Sequence, residues 1–216
     1  MTDVSKRLFA VRHGQTEWNL LGRIQGTLDA PLTARGERQA EDLGDLIRRH
    51  GISRMRVSPA PRALRTAEIA AARSGRNPSI TVDEGLREMD LGPWQGLTFA
   101  DVAARFPQES KAFWEAPQDF EAEGVESFAA FFTRARQAAS QAVAAFPDDA
   151  DPEPLLLVTH SLTVKAAALS VTGHSPAAMW NTEEIPSGTF TELVSTGGRW
   201  TVAQWASPIN PAGAPE

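Results

Sequence analysis

The chain has 216 residues, 42% of them hydrophobic, and no cysteine. It is long enough for one domain with a full-sized core, and disulfide scaffolds, thiolate zinc sites and thiol catalysis are excluded. The net charge of −6 argues against a nucleic-acid partner, and no apolar run reaches membrane-spanning length, so a cytoplasmic protein off the membrane is expected.

In chain order, Arg7 to Val11 reads as a strand that stops at Arg12-His13-Gly14, and a loop follows through Pro31. A helix is expected from Ala34 to His50, with Ala40, Leu43, Leu46 and Ile47 on one face and Gly51 as its stop. His50 at that helix end is a structural residue whose positive charge the helix dipole would favour. Ile52 to Val57 is a second strand, ended by Ser58-Pro59. A helix from Pro61 to Arg73 and a strand from Ser79 to Val82 come next.

The stretch from Gly85 to Gly124 is less regular and rich in aromatic residues. It is expected to form a lid at about residues 92–125. Ser127 to Phe146 is a long helix, and an acidic loop from Pro147 to Pro154 leads into the apolar strand Leu155 to Thr159. His160 ends that strand, a helix runs on to Val171, and Thr189 to Val194 and Trp200 to Gln204 are final strands. The expectation is a single domain over residues 1–206, with a disordered Pro-, Ala- and Gly-rich tail at 207–216.

Alternating strands and helices argue for α/β with a mainly parallel sheet. Ligands in open α/β sheets bind beyond the carboxyl ends of the strands. Arg12 and His13 follow the first strand, Arg62 opens the helix after the second, and His160 follows the Leu155 to Thr159 strand. Two arginines and two histidines can therefore converge on one pocket. That set suits a phosphoryl group: forked arginines hold its oxygens, and a neutral histidine can attack phosphorus. A second histidine, protonated, can hold another oxygen, and a carboxylic acid must protonate the departing alkoxide. Asp83, Glu84, Glu88 and Asp90, close together in the chain, are carboxylates that could fill that role. No two histidines have metal-ligand spacing.

An ordered series of motifs carries a resemblance over nearly the whole chain. It runs through Val11-Arg12-His13-Gly14-Gln15-Thr16-Glu17-Trp18-Asn19, Gly22-Arg23-Ile24-Gln25-Gly26 and Asp29-Ala30-Pro31-Leu32-Thr33. It continues with Ser58-Pro59-Ala60-Pro61-Arg62-Ala63-Leu64-Arg65-Thr66-Ala67, Leu86-Arg87-Glu88, Gly92-Pro93-Trp94-Gln95-Gly96, Gly124-Val125-Glu126-Ser127 and Val158-Thr159-His160. The sequence resembles the histidine phosphatase superfamily, also called phosphoglycerate mutase-like, in its branch 1 type.

The resemblance implies a three-layer α/β/α sandwich with a mainly parallel six-stranded sheet and a small helical lid. It implies His13 as nucleophile, Arg12, Arg62 and His160 as the phosphate pocket, and Glu88 as proton donor. Asn19, Gln25, Gly26 and Ser161 are implied to contact phosphate or substrate. It implies no metal and no cofactor. Hydrolysis of a small phosphorylated metabolite through phosphohistidine is the expected reaction. Phosphoglycerate mutase is the alternative, and a non-catalytic phosphate-binding module a remote one. His160 follows Glu88 by only 72 positions, which implies a small lid and favours hydrolysis. Departures are Ser161 where members usually carry glycine, Lys165 where arginine is common, and Val125 interrupting Gly-Glu-Ser. The oligomeric state is not readable, and a homodimer is left open.

Overall fold

The computed structural model describes residues 6–117, 120–147 and 152–211. Its strands are β1 (Lys6–Arg12), β2 (Arg54–Val57), β3 (Ser79–Val82), β4 (Leu155–Thr159), β5 (Thr189–Thr196) and β6 (Arg199–Pro208). They form one six-stranded sheet in the order β3-β2-β4-β1-β5-β6. The four strands from β3 to β1 are parallel, and β5 and β6 are added antiparallel. Strand β4 is buried at every position, as its unbroken apolar run requires of a central parallel strand.

Period-two alternation sorts the side chains into layers. Phe9, Val11, Met55, Val57, Leu156 and Val158 face helices α2 (Ala34–His50) and α3 (Pro61–Ser74). Leu8, Ala10, Leu155 and Leu157 face the opposite way, onto α6 (Phe128–Ala144) and α7 (Ser161–Val171). The result is the expected three-layer α/β/α sandwich. A third apolar cluster joins the irregular segment to α6 and α7 through Trp94, Phe113, Phe120, Phe128 and Phe131. Phe113 sits at its centre, with rings of Trp94, Phe120 and Trp180 at 5.5, 5.2 and 5.0 Å.

The expected elements differ from the structure in three places. The loop before Pro31 contains a short helix, α1 (Glu17–Leu20), closed by a reciprocal cap between Thr16 and Asn19. The expected helical lid segment holds two helices, α4 (Phe99–Arg105) and α5 (Pro107–Glu115), in agreement with that expectation. The expected disordered tail starts too early: Ser207 and Pro208 close β6 against β5, and Ile209 is buried. Residues 212–216 of that tail, and 148–151 of the acidic loop, lie outside the described residues. Finally, His50 packs on the Phe9 ring at 4.8 Å. Burial first, then the neighbouring Arg7, lower its pKa, so the expected dipole-favoured cation is outweighed.

The loop carrying His13 is pressed onto the first turn of α2. The Gly36 amide donates to the Thr33 hydroxyl that caps this helix, at 3.0 Å. A Cβ at Gly36 would overlap the carbonyl oxygen of Gln15, and one at Gly14 that of Gly36. Backbone rather than a flexible side chain fills the space, so neither clash has an easy escape. Gly36→Ala is expected to lower stability by about 1–3 kcal/mol, read as a lower urea midpoint at unchanged slope. An unchanged midpoint would show that the loop slides freely on α2.

Candidate active site

Strand β4 lies between β2 and β1, so the three strand ends are neighbours. The backbone ties them: the His13 amide donates to Thr159 O at 2.9 Å, and the Ser58 amide to Val158 O at 2.9 Å. His13, Arg62 and His160 meet at one mouth of the sheet, each buried. They line a cavity of about 720 Å³ together with Arg12 and Glu88. Three segments distant in sequence thus deliver the expected constellation to one place.

Arg62 organises it. Nη1 donates to Leu28 O at 2.7 Å and to Asp29 Oδ1 at 3.0 Å, and Nη2 donates to Gly26 O at 2.8 Å. The other edge of the guanidinium points inward: Nε donates to His13 Nε2 and Nη2 to His160 Nδ1, both at 3.2 Å. These five contacts use all five N–H groups of the side chain. Asp29 also accepts from the Arg62 backbone amide at 3.2 Å. It thereby serves as the cap of α3, which has no side-chain cap of its own.

Donor and acceptor logic fixes both imidazoles. The carbonyl of Gly14 can only accept, so His13 Nδ1, 2.8 Å away, carries the hydrogen. Nε2 then presents its lone pair to Arg62 and the pocket. For His160, Arg62 can only donate, so Nδ1 is the acceptor and Nε2–H donates to Ser58 Oγ at 2.7 Å. The rings stand 5.2 Å apart. Burial holds both pKa values well below the ordinary 6.5. Arg12 and then Arg62 add to the effect at His13, and Arg62, His13 and Arg12 at His160. The second histidine was expected to be protonated; burial first, and then the charges of Arg62 and Arg12, work against that form in this arrangement.

Arg12 donates through Nη1 to Ile185 O at 3.0 Å, while its buried Nε has no partner among the described residues. Glu88 is held at the start of α7. One carboxylate oxygen accepts from the Leu162 amide at 3.1 Å, the other from the Met89 amide at 3.0 Å and the Thr163 hydroxyl at 3.1 Å. Burial raises its pKa, outweighing those amides and the two arginines. Arg134 of α6 fixes the strand of backbone beneath it, donating to the carbonyls of Gly85, Arg87 and Glu88 and pairing with Glu126 at 2.7 Å.

The alternative acids are engaged elsewhere. Asp83 pairs with Arg56 at 2.6 Å, Glu84 lies near Arg87, and Asp90 accepts from the Gly92 amide. Asn19, Gln25, Gly26 and Ser161 all line the cavity. The Asn19 carbonyl is spent on Thr16, which leaves its NH₂ for the pocket. Sequence reasoning missed Asp29 as the holder of Arg62, Ser58 as the partner of His160, and Glu184, a further carboxylate on the cavity wall. Asp29 and Ser58 stood inside quoted motifs without a role. Glu184 sits in a plain acidic loop that carries no motif.

The donor set defines an enzyme site built to grip a tetrahedral anion beside a neutral imidazole. Comparison with known proteins narrows the class. Residues 8–208 match the histidine phosphatase superfamily (branch 1), and the chain belongs to this family. Phosphoserine phosphatase 1 of Hydrogenobacter thermophilus is 29% identical over 180 residues, covering 81% of this chain and 80% of that protein. A probable phosphoglycerate mutase of Salmonella paratyphi B is 30% identical over 199 residues, covering 92% and 89%. Among solved structures, a mycobacterial glucosyl-3-phosphoglycerate phosphatase in complex with VO3 superposes with a TM-score of 0.83 at 29% identity, covering 94% and 99%.

Because both site histidines have folded pKa values below 6.5, their neutral forms stabilise the fold above pH 6.5. That contribution is lost as pH falls toward the lowered values. Nitrogen-15 NMR is expected to find both rings still neutral at pH 6. The urea midpoint should fall from pH 7 to pH 5, and less steeply in His160→Gln. Ordinary titration of both rings near 6.5 would contradict the lowered pKa values.

Proposed function

We propose that the chain is a phosphatase that hydrolyses a small phosphate monoester through a phosphohistidine at His13. The observation that carries this reading is the inward edge of Arg62, whose Nε and Nη2 address the two imidazoles side by side. A phosphoryl group entering between the rings can take both N–H bonds bidentately and free the His13 lone pair.

In the first step His13 Nε2 attacks phosphorus and the ester P–O bond breaks. Protonated Glu88 gives its proton to the departing alkoxide, leaving a carboxylate and N-phosphohistidine. In the second step the carboxylate takes a proton from water, the resulting hydroxide attacks phosphorus, and the P–N bond breaks to release phosphate. Arg12, through its unpartnered Nε, and Arg62 stabilise the charge on the equatorial oxygens throughout. The doubly charged phosphoryl group also favours a proton on His160 Nδ1, so this ring becomes a donor when substrate arrives. Asn19 Nδ2, Gln25 and the Ser161 amide complete the cradle.

Hydrolysis is favoured over mutase transfer by the brevity of the covering segment. Helices α4 and α5 have seven and nine residues, a small lid through which water can reach the phosphohistidine. The similarity to a phosphoserine phosphatase supports hydrolysis, and the similarity to a probable phosphoglycerate mutase supports the alternative. A small-metabolite phosphatase without cysteine suits the cytoplasm, and no described helix is long and apolar enough to cross a membrane.

His13→Ala is expected to lower kcat on an aryl phosphate by about a thousandfold or more. Turnover that survives this change would remove the nucleophile assignment. Glu88→Gln should cost about 100-fold or more on an alkyl phosphate, far less on an aryl phosphate whose leaving group needs no proton. Wild-type kcat/KM should rise as His13 loses its proton at low pH and fall as Glu88 loses its own above the ordinary 4.5; the Gln variant should lack that descending limb. Conversion of 3-phosphoglycerate to 2-phosphoglycerate without phosphate release would replace hydrolysis by the mutase reaction.

A further inference from the structure

Lys165 is a charged group that the chemistry at His13 does not use. It lies on α7, 5% exposed, among buried Val164, Ala166, Ala167 and Ala168. Its ammonium donates to Thr182 O at 3.2 Å and stands 5.6 Å from the centre of the Trp180 ring. No carboxylate lies within 4 Å of it among the described residues. Yet Lys165 lines the same cavity as His13. An ammonium has three donors, and this one has a single carbonyl to receive them. Glu184, on the same cavity wall, acts on it only from beyond 4 Å; a buried cation with no carboxylate in bonding range is costly, and a hydrophobic residue would fill this helix face without that cost.

The helix sets the geometry. Lys165 is one turn beyond Ser161 on the same face of α7, a rise of about 6 Å along the axis. A phosphoryl group at the head of α7 therefore leaves its organic remainder extending toward Lys165. Trp180, which lines the cavity beside it, supplies a flat wall that keeps water from the ammonium on one side. The exposed arginines of the cavity rim, Arg23 and Arg35, are solvated and compete weakly for the same charge.

We infer that Lys165 is the specificity-determining residue of a second anion subsite, which selects phosphate esters whose alcohol carries a carboxylate a few bonds from the phosphorus. The inference rests on the phosphatase reading and adds to it the class of substrate. The ammonium replaces the lost hydration of the carboxylate with a charge-assisted bond in a water-poor recess. The carboxylate is not at the reacting centre, so Lys165 acts mainly on binding and is not a catalytic residue.

The test compares two esters that differ in the carboxylate, 3-phosphoglycerate and glycerol 3-phosphate, with an aryl phosphate as reference. Wild type is expected to prefer the carboxylate ester. Lys165→Met keeps the apolar stem and removes the charge. It should raise KM for 3-phosphoglycerate about 10- to 100-fold with little change in kcat. The loss on glycerol 3-phosphate should be at least tenfold smaller. Lys165→Arg should restore much of the preference, which a merely structural role for the side chain would not predict. Equal losses on both esters, or no preference in wild type, overturn the subsite while leaving the phosphatase reading intact. Failure of wild type to release phosphate from any of the three, the aryl phosphate included, overturns both.

Discussion

Arg62 has no N–H to spare, and the rest of the site follows from that constraint. Three of its contacts go outward to Leu28, Asp29 and Gly26, and these immobilise a guanidinium that would otherwise carry large rotamer entropy. With the outer edge fixed, the inner edge must point where it does, between His13 and His160. The loop from Gly26 to Asp29 therefore has a defined job in the site, even though its own residues never need to touch a reacting atom. A rigid fork is worth more at a transition state than a flexible cation, because no reorganisation is required as charge develops.

The same economy appears at two helix starts. Helices α3 and α7 follow neighbouring strands, and neither has a side-chain cap of its own. A carboxylate from elsewhere supplies each: Asp29 takes the Arg62 amide and Glu88 the Leu162 amide. Capping ties these carboxylates to the scaffold, and the two do different work there. Asp29, partly exposed, bonds Arg62 and holds the guanidinium in place. At Glu88 burial raises the pKa, despite two arginines and two backbone amides. A carboxyl group held toward its acid form is what proton donation to an alkoxide needs in the proposed reaction.

Much of this was legible in the sequence because the strands end where the chemistry begins. Arg12-His13, Arg62 and His160 each follow an apolar run, and α/β topology sends such positions to one edge of the sheet. The helices α2, α3 and α7 were readable for the same reason, since their apolar faces and stops are local signals. What escaped was set by long-range contact. Helix α1 is four residues held by one reciprocal cap, too short for periodicity to reveal. Ser207 and Pro208 look like tail by composition, but pairing with Phe190 and Thr189 draws them into β6. The role of Asp29 depends on an arginine 33 positions away, and the lowered pKa of His160 depends first on burial and then on charges brought in by folding. Neither has a local signature.

The acidity of the chain and the cationic character of its cavity are two sides of one arrangement. A net charge of −6 repels anions at a distance, so substrate capture cannot rely on the field of the whole molecule. It must rely on donors already in place at short range, where salt screening is weakest. In the proposed reaction Arg12, Arg62 and the helix head at Ser161 meet that need for the phosphoryl group. Their mutual repulsion is kept down by neutral histidines, which would otherwise add two more charges to a buried cluster. The depressed histidine pKa values thus serve both ends at once. They leave His13 with a free lone pair for the proposed attack, and they let two arginines coexist at the mouth of the sheet until an anion arrives to balance them.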